Sequence, residues 1–268
     1  MTFKVASLAR SVASSSRSLA SRRATHRTLS TASHRVVATI AGAPVLINNL
    51  AHFYYDARPL EPPDPLGGGN GDLTGFRVWE SAPHLIRHLE NHASLVHNKT
   101  VIELGAGTGA VGLAAAALGA SRVVLSDADS TATLCGENGQ WQERGRLATL
   151  RENAELNGDR AASVSVEALR WGDDEHLTSL SSRWPGGFET IVGSDVLYSP
   201  RMYGALRHTI HTLAAPNAAT LVFAFPVRHG DEHGFVQGLA PAFELVRAVE
   251  DEERRLRIVE LVRRAGSG

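Results

Sequence analysis

The densest chemical signal in the chain is Val101-Ile102-Glu103-Leu104-Gly105-Ala106-Gly107-Thr108-Gly109. It closes an apolar run and opens an alanine-rich one, which predicts a strand, a tight turn and a helix. Glycine lets the backbone turn sharply and approach a ligand closely, and the amides at a helix start favour a polar or negative ligand group. A dinucleotide loop reads G-x-G-x-x-G, and its two-residue gap leaves room for a pyrophosphate. Here Gly105, Gly107 and Gly109 are spaced G-x-G-x-G, with the acid Glu103 two residues upstream. That spacing suits a nucleoside without phosphates better. A plain strand-to-helix turn is the competing reading, and the strand-before, helix-after context favours the cofactor.

Asp127 ends the next predicted strand, 18 residues beyond Gly109. A carboxylate there accepts hydrogen bonds from both ribose hydroxyls and repels a 2′-phosphate, which argues against NADP. Asp127 could instead cap the following helix, a task open also to Asp129. Trp171, in Leu169-Arg170-Trp171-Gly172-Asp173, follows the third strand and could flank an adenine. Ser194-Asp195-Val196-Leu197-Tyr198 ends the fourth strand, where open α/β sheets place their ligands. Asp195 and Tyr198 could there orient a nucleophile and wall a channel. A core tryptophan, a capping aspartate and a packed tyrosine are the structural alternatives. His84/His88 and His229/His233 are four apart, as zinc ligands on a helix can be, but lack the H-E-x-x-H form and a third ligand. They read as solvated surface histidines, and no metal is expected. No G-x-S-x-G elbow, Walker loop or Cys/His cluster is present in the sequence.

These residues need a frame to hold them. Apolar runs predict strands at 100–104, 122–126, 163–168, 189–194, 219–225, 243–249 and 256–263. Helical runs fall at 109–118, 147–157, 200–214 and 232–240, and Val78, Ala82, Leu85, Ile86 and Leu89 place another over 79–92. Alternation of this kind means a parallel sheet with helices on both faces, a Rossmann-like α/β fold. Glu250–Arg255 is too short for a crossover, so the last two strands form a hairpin and one edge strand runs antiparallel. Residues 36–49 read as a further hairpin around Ala41–Pro44, and the Pro- and Gly-rich 56–75 as a loop. The polar segment 135–146 (CGENGQWQERGR) shows neither periodicity. It reads as an insertion into the helix after Asp127, either a genuine surface loop or a translated intron.

In combination these pieces resemble the family-16 seven-β-strand methyltransferases, which include many non-histone protein-lysine methyltransferases. The matching stretches are V78-W79-E80-S81-A82, VIELGAGTGAVGLAAAALGA, the acid in LSDAD, LRWGD and SDVLY. They lie in order from about Gly75 to Arg264. The resemblance implies a class I methyltransferase whose doubly wound seven-stranded sheet is ordered 3-2-1-4-5-7-6, with strand 7 antiparallel. It implies S-adenosyl-L-methionine as cofactor and a protein lysine as acceptor. By position, Trp79 and the backbone of Gly105, Ala106 and Gly107 would hold the cofactor, and Asp127 its ribose. Trp171 and Ser194 would border the adenine, and Asp195 and Tyr198 match the family's D-x-x-Y element near the acceptor. The segment 135–146 departs from the family pattern. A small-molecule N-methyltransferase and a non-catalytic binding protein of this fold are the rival functions.

Composition sets the outer limits. With 43% hydrophobic residues over 268, the chain can bury a full α/β core. Its net charge of −1 offers no field for nucleic acid, and its single cysteine, Cys135, allows no internal disulfide. No membrane span is expected, since no run of about 18 apolar residues occurs; the protein is expected to be a monomer. Residues 1–55 contain no acid, while Lys4, Arg10, Arg17, Arg22, Arg23, Arg27 and Arg35 lie among many serines. That is transit-peptide composition, mitochondrial ahead of plastid, so residues 1–35 are expected to be a targeting segment. A disordered tail or an upstream start codon would look similar, and would leave the protein cytoplasmic. Residues 36–268 are then the methyltransferase domain, opening with the hairpin and loop of 36–75. Acceptor specificity is expected in that hairpin and loop and in the segment after Phe225.

Overall fold

The computed structural model describes residues 34–48, 74–135, 141–228 and 230–266, all within one unit, Ala32–Gly268. Most of the expected 56–75 loop and all of the expected targeting segment except His34 and Arg35 lie outside the described residues. The chain runs through β1 (His34–Ile40), β2 (Ala43–Asn48), α1 (Ser81–Asn91), β3 (Thr100–Leu104) and α2 (Ala110–Ala117). There follow β4 (Arg122–Asp127), β5 (Thr131–Cys135), β6 (Trp141–Gly145), α3 (Arg146–Leu156), β7 (Val164–Ala168) and α4 (Asp174–Arg183). The last elements are β8 (Thr190–Ser194), α5 (Tyr203–Leu213), β9 (Thr220–Pro226), α6 (Asp231–Leu239), β10 (Phe243–Asp251) and β11 (Leu256–Arg263).

Among the described residues the main sheet has seven strands, ordered β10-β11-β9-β8-β3-β4-β7. Numbered along the sheet-forming strands, this is 3-2-1-4-5-7-6, the expected order. β3, β4, β7, β8 and β9 are mutually parallel, and β11 is antiparallel to both β9 and β10. The antiparallel strand therefore lies one in from the edge, not at it: the hairpin folds β11 back against β9 and leaves β10 outside. Central strands such as β3, β8 and β9 are apolar on both faces because helices cover both. Val101, Val123 and Leu125 pack with α1, α2 and the β1–β2 hairpin on one side. Ile102, Val124, Ile191 and Phe223 pack with α4, α5 and α6 on the other.

The β1–β2 hairpin turns at Ala41 and Gly42, with φ +50° and +78°, the positive pair that a tight two-residue turn needs. Asn153 and Asn157 of α3 bind it: Asn157 Oδ1 and Nδ2 pair with the Leu46 backbone at 2.9 and 2.8 Å, and Asn153 Oδ1 accepts from Asn48 N at 2.7 Å. The hairpin thus seats behind the glycine loop, since Asn153 Nδ2 also donates to Thr108 O at 2.8 Å.

Two elements differ from expectation. α4 has no counterpart in the sequence reading: only Leu177 and Leu180 of its ten residues are buried, and Asp173 starts it by accepting from the amides of Glu175 and His176. Around the polar segment 135–146, the described residues are not an irregular loop within a helix. Thr131–Cys135 and Trp141–Gly145 pair as an antiparallel ribbon, β5 with β6, and α3 begins only at Arg146.

Candidate active site

Where the sheet order reverses, β3 and β8 are neighbours whose following helices pack on opposite faces. A crevice opens beyond their carboxyl ends. One cavity there is lined by Trp79, Glu103, Gly105, Ala106, Gly107, Asp127, Trp171, Ser194, Asp195 and Tyr198. Ten of the eleven residues singled out from sequence thus converge on it. Gly109 does not: it starts α2 with φ +78°, and a Cβ there would lie 2.9 Å from Leu125 Cδ1 and 3.0 Å from Leu150 Cδ2. Its glycine serves the helix start and the core beneath, and it does not line the cavity.

The glycine turn is built for close approach. Gly105 and Gly107 have φ +61° and +54°, values that side chains disfavour. A Cβ on Gly105 would meet Trp171 Cζ2 at 3.0 Å and Val196 Cγ1 at 3.1 Å. Trp171 therefore lies directly over the turn, and its ring reaches Tyr198 at a centroid distance of 6.3 Å. Under the turn, Glu103 is 2% exposed, and its Oε2 accepts from Gly112 N at 2.7 Å. Burial pushes its carboxyl up to about 8, with the Gly112 bond opposing and the nearby Asp127 charge adding. Glu103 is therefore mostly protonated at neutral pH in the free protein.

Asp127 is in the cavity, but it is busier than its sequence context suggests. Oδ2 accepts from Gly107 N at 2.7 Å, tying β4 to the glycine turn. Oδ1 accepts from Ala128 N at 2.8 Å and from Arg146 Nη1 at 3.2 Å. A carboxylate offers about four acceptor positions, so one remains on Oδ2 for a ribose hydroxyl. A second hydroxyl would share Oδ1 with Arg146. Arg146 is 8% exposed and packs against Gly75, where a Cβ would lie 2.8 Å from its Nε. Trp79 donates from Nε1 to Thr74 O at 2.9 Å, with Arg77 stacked 4.4 Å from its ring centre. Ser194 Oγ pairs with Ser81 Oγ at 2.8 Å, joining β8 to the start of α1. Glycine backbone, acid, aromatic and small hydroxyl together fit a phosphate-free nucleoside.

On the acceptor side, Tyr198 is 53% exposed at the cavity mouth. Asp195 has φ +59°, uncommon for a non-glycine residue and a mark of a functional turn. Arg228, on the segment after β9, lies 2.8 Å from Asp195 Oδ1 as an ion pair. Arg146 and Arg228 both escaped the sequence reading. Each sits in a stretch without periodicity, and only the fold brings it to its acid. The segment after Phe225 supplies Arg228 to the cavity, and the β1–β2 hairpin supplies no residue to it.

The histidines need one correction. His88 is not solvated: it is 7% exposed, and its Nε2 lies 2.6 Å from Glu260 Oε1. His233 is exposed and pairs with Gln237 at 2.8 Å, while His229 lies outside the described residues. Among the described residues, no group of His, Cys, Asp and Glu could hold a metal.

A doubly wound sheet in this order, with a phosphate-free nucleoside site at its switch point, defines the class I methyltransferases, whose cofactor is S-adenosylmethionine. The chain belongs to the lysine methyltransferase family, whose model matches residues 68–241. It is 30% identical over 184 residues to EEF1A lysine methyltransferase 3 of Mus musculus, covering 68% of this chain and 69% of that protein. It is 29% identical over 187 residues to protein N-lysine methyltransferase METTL21A of Danio rerio, covering 69% and 76%. Among solved structures, ribosomal protein L11 methylase from Lactobacillus delbrueckii subsp. bulgaricus superposes with a TM-score of 0.49 at 18% identity, over 70% of this chain and 80% of that one.

Proposed function

We propose that this protein transfers the methyl group of S-adenosylmethionine to the Nε of a lysine in a non-histone protein. One observation carries the reading: a single cavity runs from the Gly105–Gly107 turn and Asp127 to Asp195 and the exposed Tyr198. Two relatives are named for lysine methylation, one of them for EEF1A, which makes that factor a first acceptor to try. The near-neutral chain, at −1, supports a protein acceptor rather than nucleic acid, and we assign it as a monomer.

In this reading the backbone of Gly105, Ala106 and Gly107 holds the cofactor beside Trp79. Asp127 takes its ribose, and Trp171 and Ser194 border the adenine. The cofactor supplies an electrophilic methyl on a sulfonium. With the cofactor held there, in-line attack by the lysine nitrogen on that carbon would break the C–S bond and leave its electron pair on sulfur as a neutral thioether. The product ammonium then gives its proton to water. Since a lysine ammonium has no lone pair, the amine must arrive uncharged. Tyr198 shapes its path, and Asp195 accepts one of its N–H bonds. Alignment and desolvation do most of the work, because a neutral leaving group needs no acid.

The acid-free, arginine- and serine-rich residues 1–35 support targeting to mitochondria. N-terminal sequencing of the mature chain tests this: an intact Met1 in protein from whole cells contradicts it. The function itself is tested by quantitative mass spectrometry of lysine methylation in cells lacking the gene. At least one methyllysine disappears and returns with the wild-type gene; an unchanged methyllysine profile contradicts the reading.

A further inference from the structure

Asp195 stands on the acceptor side of the cavity, yet it is not alone. Arg228 Nη2 stands 2.8 Å from Asp195 Oδ1, and the Asp195 side chain is 7% exposed. Even so, Oδ1 and Arg228 Nη1 are both buried without a hydrogen-bond partner among the described residues. The two charges meet without the angle of a hydrogen bond. Both side chains line the cavity, so the balance of their charges acts on whatever binds there.

Backbone geometry fixes both partners. Asp195 holds its positive φ while its N–H donates to Ala224 O at 2.8 Å, at the end of β9. Arg228 and Gly230 donate from their backbone N–H groups to Oε1 and Oε2 of Glu232, each at 2.9 Å. Glu232 is 3% exposed, so the segment carrying Arg228 is pinned from below. Glu232 and Asp231 of α6 also face the Tyr203 hydroxyl, which burial and these two acids push up to about 12, so it stays neutral. Arg77, Arg170 and Tyr198 line the rest of the cavity mouth. At the cofactor end, Asp127 is already balanced by Arg146.

A bare carboxylate beside the acceptor would work against the reaction. An opposite charge within about 4–6 Å raises an amine's pKa by roughly 1–3 units and would hold lysine as the unreactive ammonium. A guanidinium that stays charged at every working pH offsets that field. We propose that Arg228 is a positioning residue that neutralises Asp195. Asp195 then stands beside the uncharged amine without trapping it as the ammonium. This inference rests on the lysine reading above.

Titration of n-butylammonium into the full-length protein with S-adenosylhomocysteine bound, at pH 7, tests it without needing the natural acceptor. Arg228→Gln binds the probe about tenfold more tightly than wild type, the equivalent of one unit of pKa, and adding Asp195→Asn abolishes the gain. Equal affinity of wild type and Arg228→Gln, including no measurable binding by either, overturns the proposal. A second readout is the pH profile of kcat/KM on a lysine-containing acceptor. Arg228→Gln moves the rising limb up by about one unit, while Arg228→Lys restores it. A uniform drop in rate with an unmoved profile marks a purely structural arginine and overturns the proposal. If the wild type methylates no lysine at any pH, the lysine reading falls, and the butylammonium titration still decides Arg228.

Discussion

Replacing Glu103 by glutamine should change how stability depends on pH more than it changes stability itself. Glu103 is fully enclosed at the end of β3, and burial raises its carboxyl from an ordinary 4.5 to about 8. Between those values the unfolded chain has released a proton that the folded chain still holds. Stability therefore falls as pH rises through this window, by about 1.4 kcal/mol per unit for one proton. Integrated over the window, the loss reaches roughly 5 kcal/mol as an upper limit, because relaxation around a buried carboxylate would reduce it. Glutamine has the same shape, and its amide oxygen can still accept from Gly112 N, now at 2.7 Å from Oε2, but it carries no titrating proton. Urea denaturation of the cofactor-free protein at several pH values from 5 to about 8 gives the difference directly. Wild type loses stability relative to Glu103→Gln as pH rises, and the two curves diverge toward the alkaline end. Parallel curves would refute the argument, showing that Glu103 ionises in the folded protein as readily as in the unfolded one.

Two further outcomes follow from the same geometry. Gly109→Ala destabilises the fold by roughly 1–3 kcal/mol through positive φ and contact with Leu125. Calorimetry finds its S-adenosylmethionine affinity within about twofold of wild type, since Gly109 does not line the cavity; a large loss of affinity would return Gly109 to the cofactor site. Arg146→Met leaves Asp127 buried without its cation and lowers unfolding stability by roughly 3 kcal/mol. A denaturation midpoint unchanged from wild type would mean that the pair contributes nothing.

The sheet was legible because its central strands are apolar on both faces and bounded by glycine turns, as Val101–Leu104 and Ile191–Gly193 are. Helix α4 was not, because two buried leucines among eight polar neighbours give no period. The β5–β6 ribbon was hidden for a related reason. Its pairing includes a Thr131 to Glu143 hydrogen bond at 2.8 Å on an exposed surface, which leaves no apolar alternation to read. The cavity-lining residues were legible from their spacing, since loops at strand ends are short and fixed. Their partners were not. Arg146 reaches Asp127, Arg228 reaches Asp195, and His88 reaches Glu260 across 172 positions, and nothing local marks such pairs. Gly109 starts a helix and does not line the cavity, and in sequence it looks the same as a glycine that does.

The central claim is that this cavity passes a methyl group from S-adenosylmethionine to lysine nitrogen. The most direct measurement incubates the full-length protein with methyl-labelled cofactor and protein fractions from cells lacking the gene, followed by complete hydrolysis and amino-acid analysis. Label in methyllysine, lost with Asp127→Ala, is the predicted result. Label confined to other residues or to small molecules, or none above the Asp127→Ala control, would contradict it.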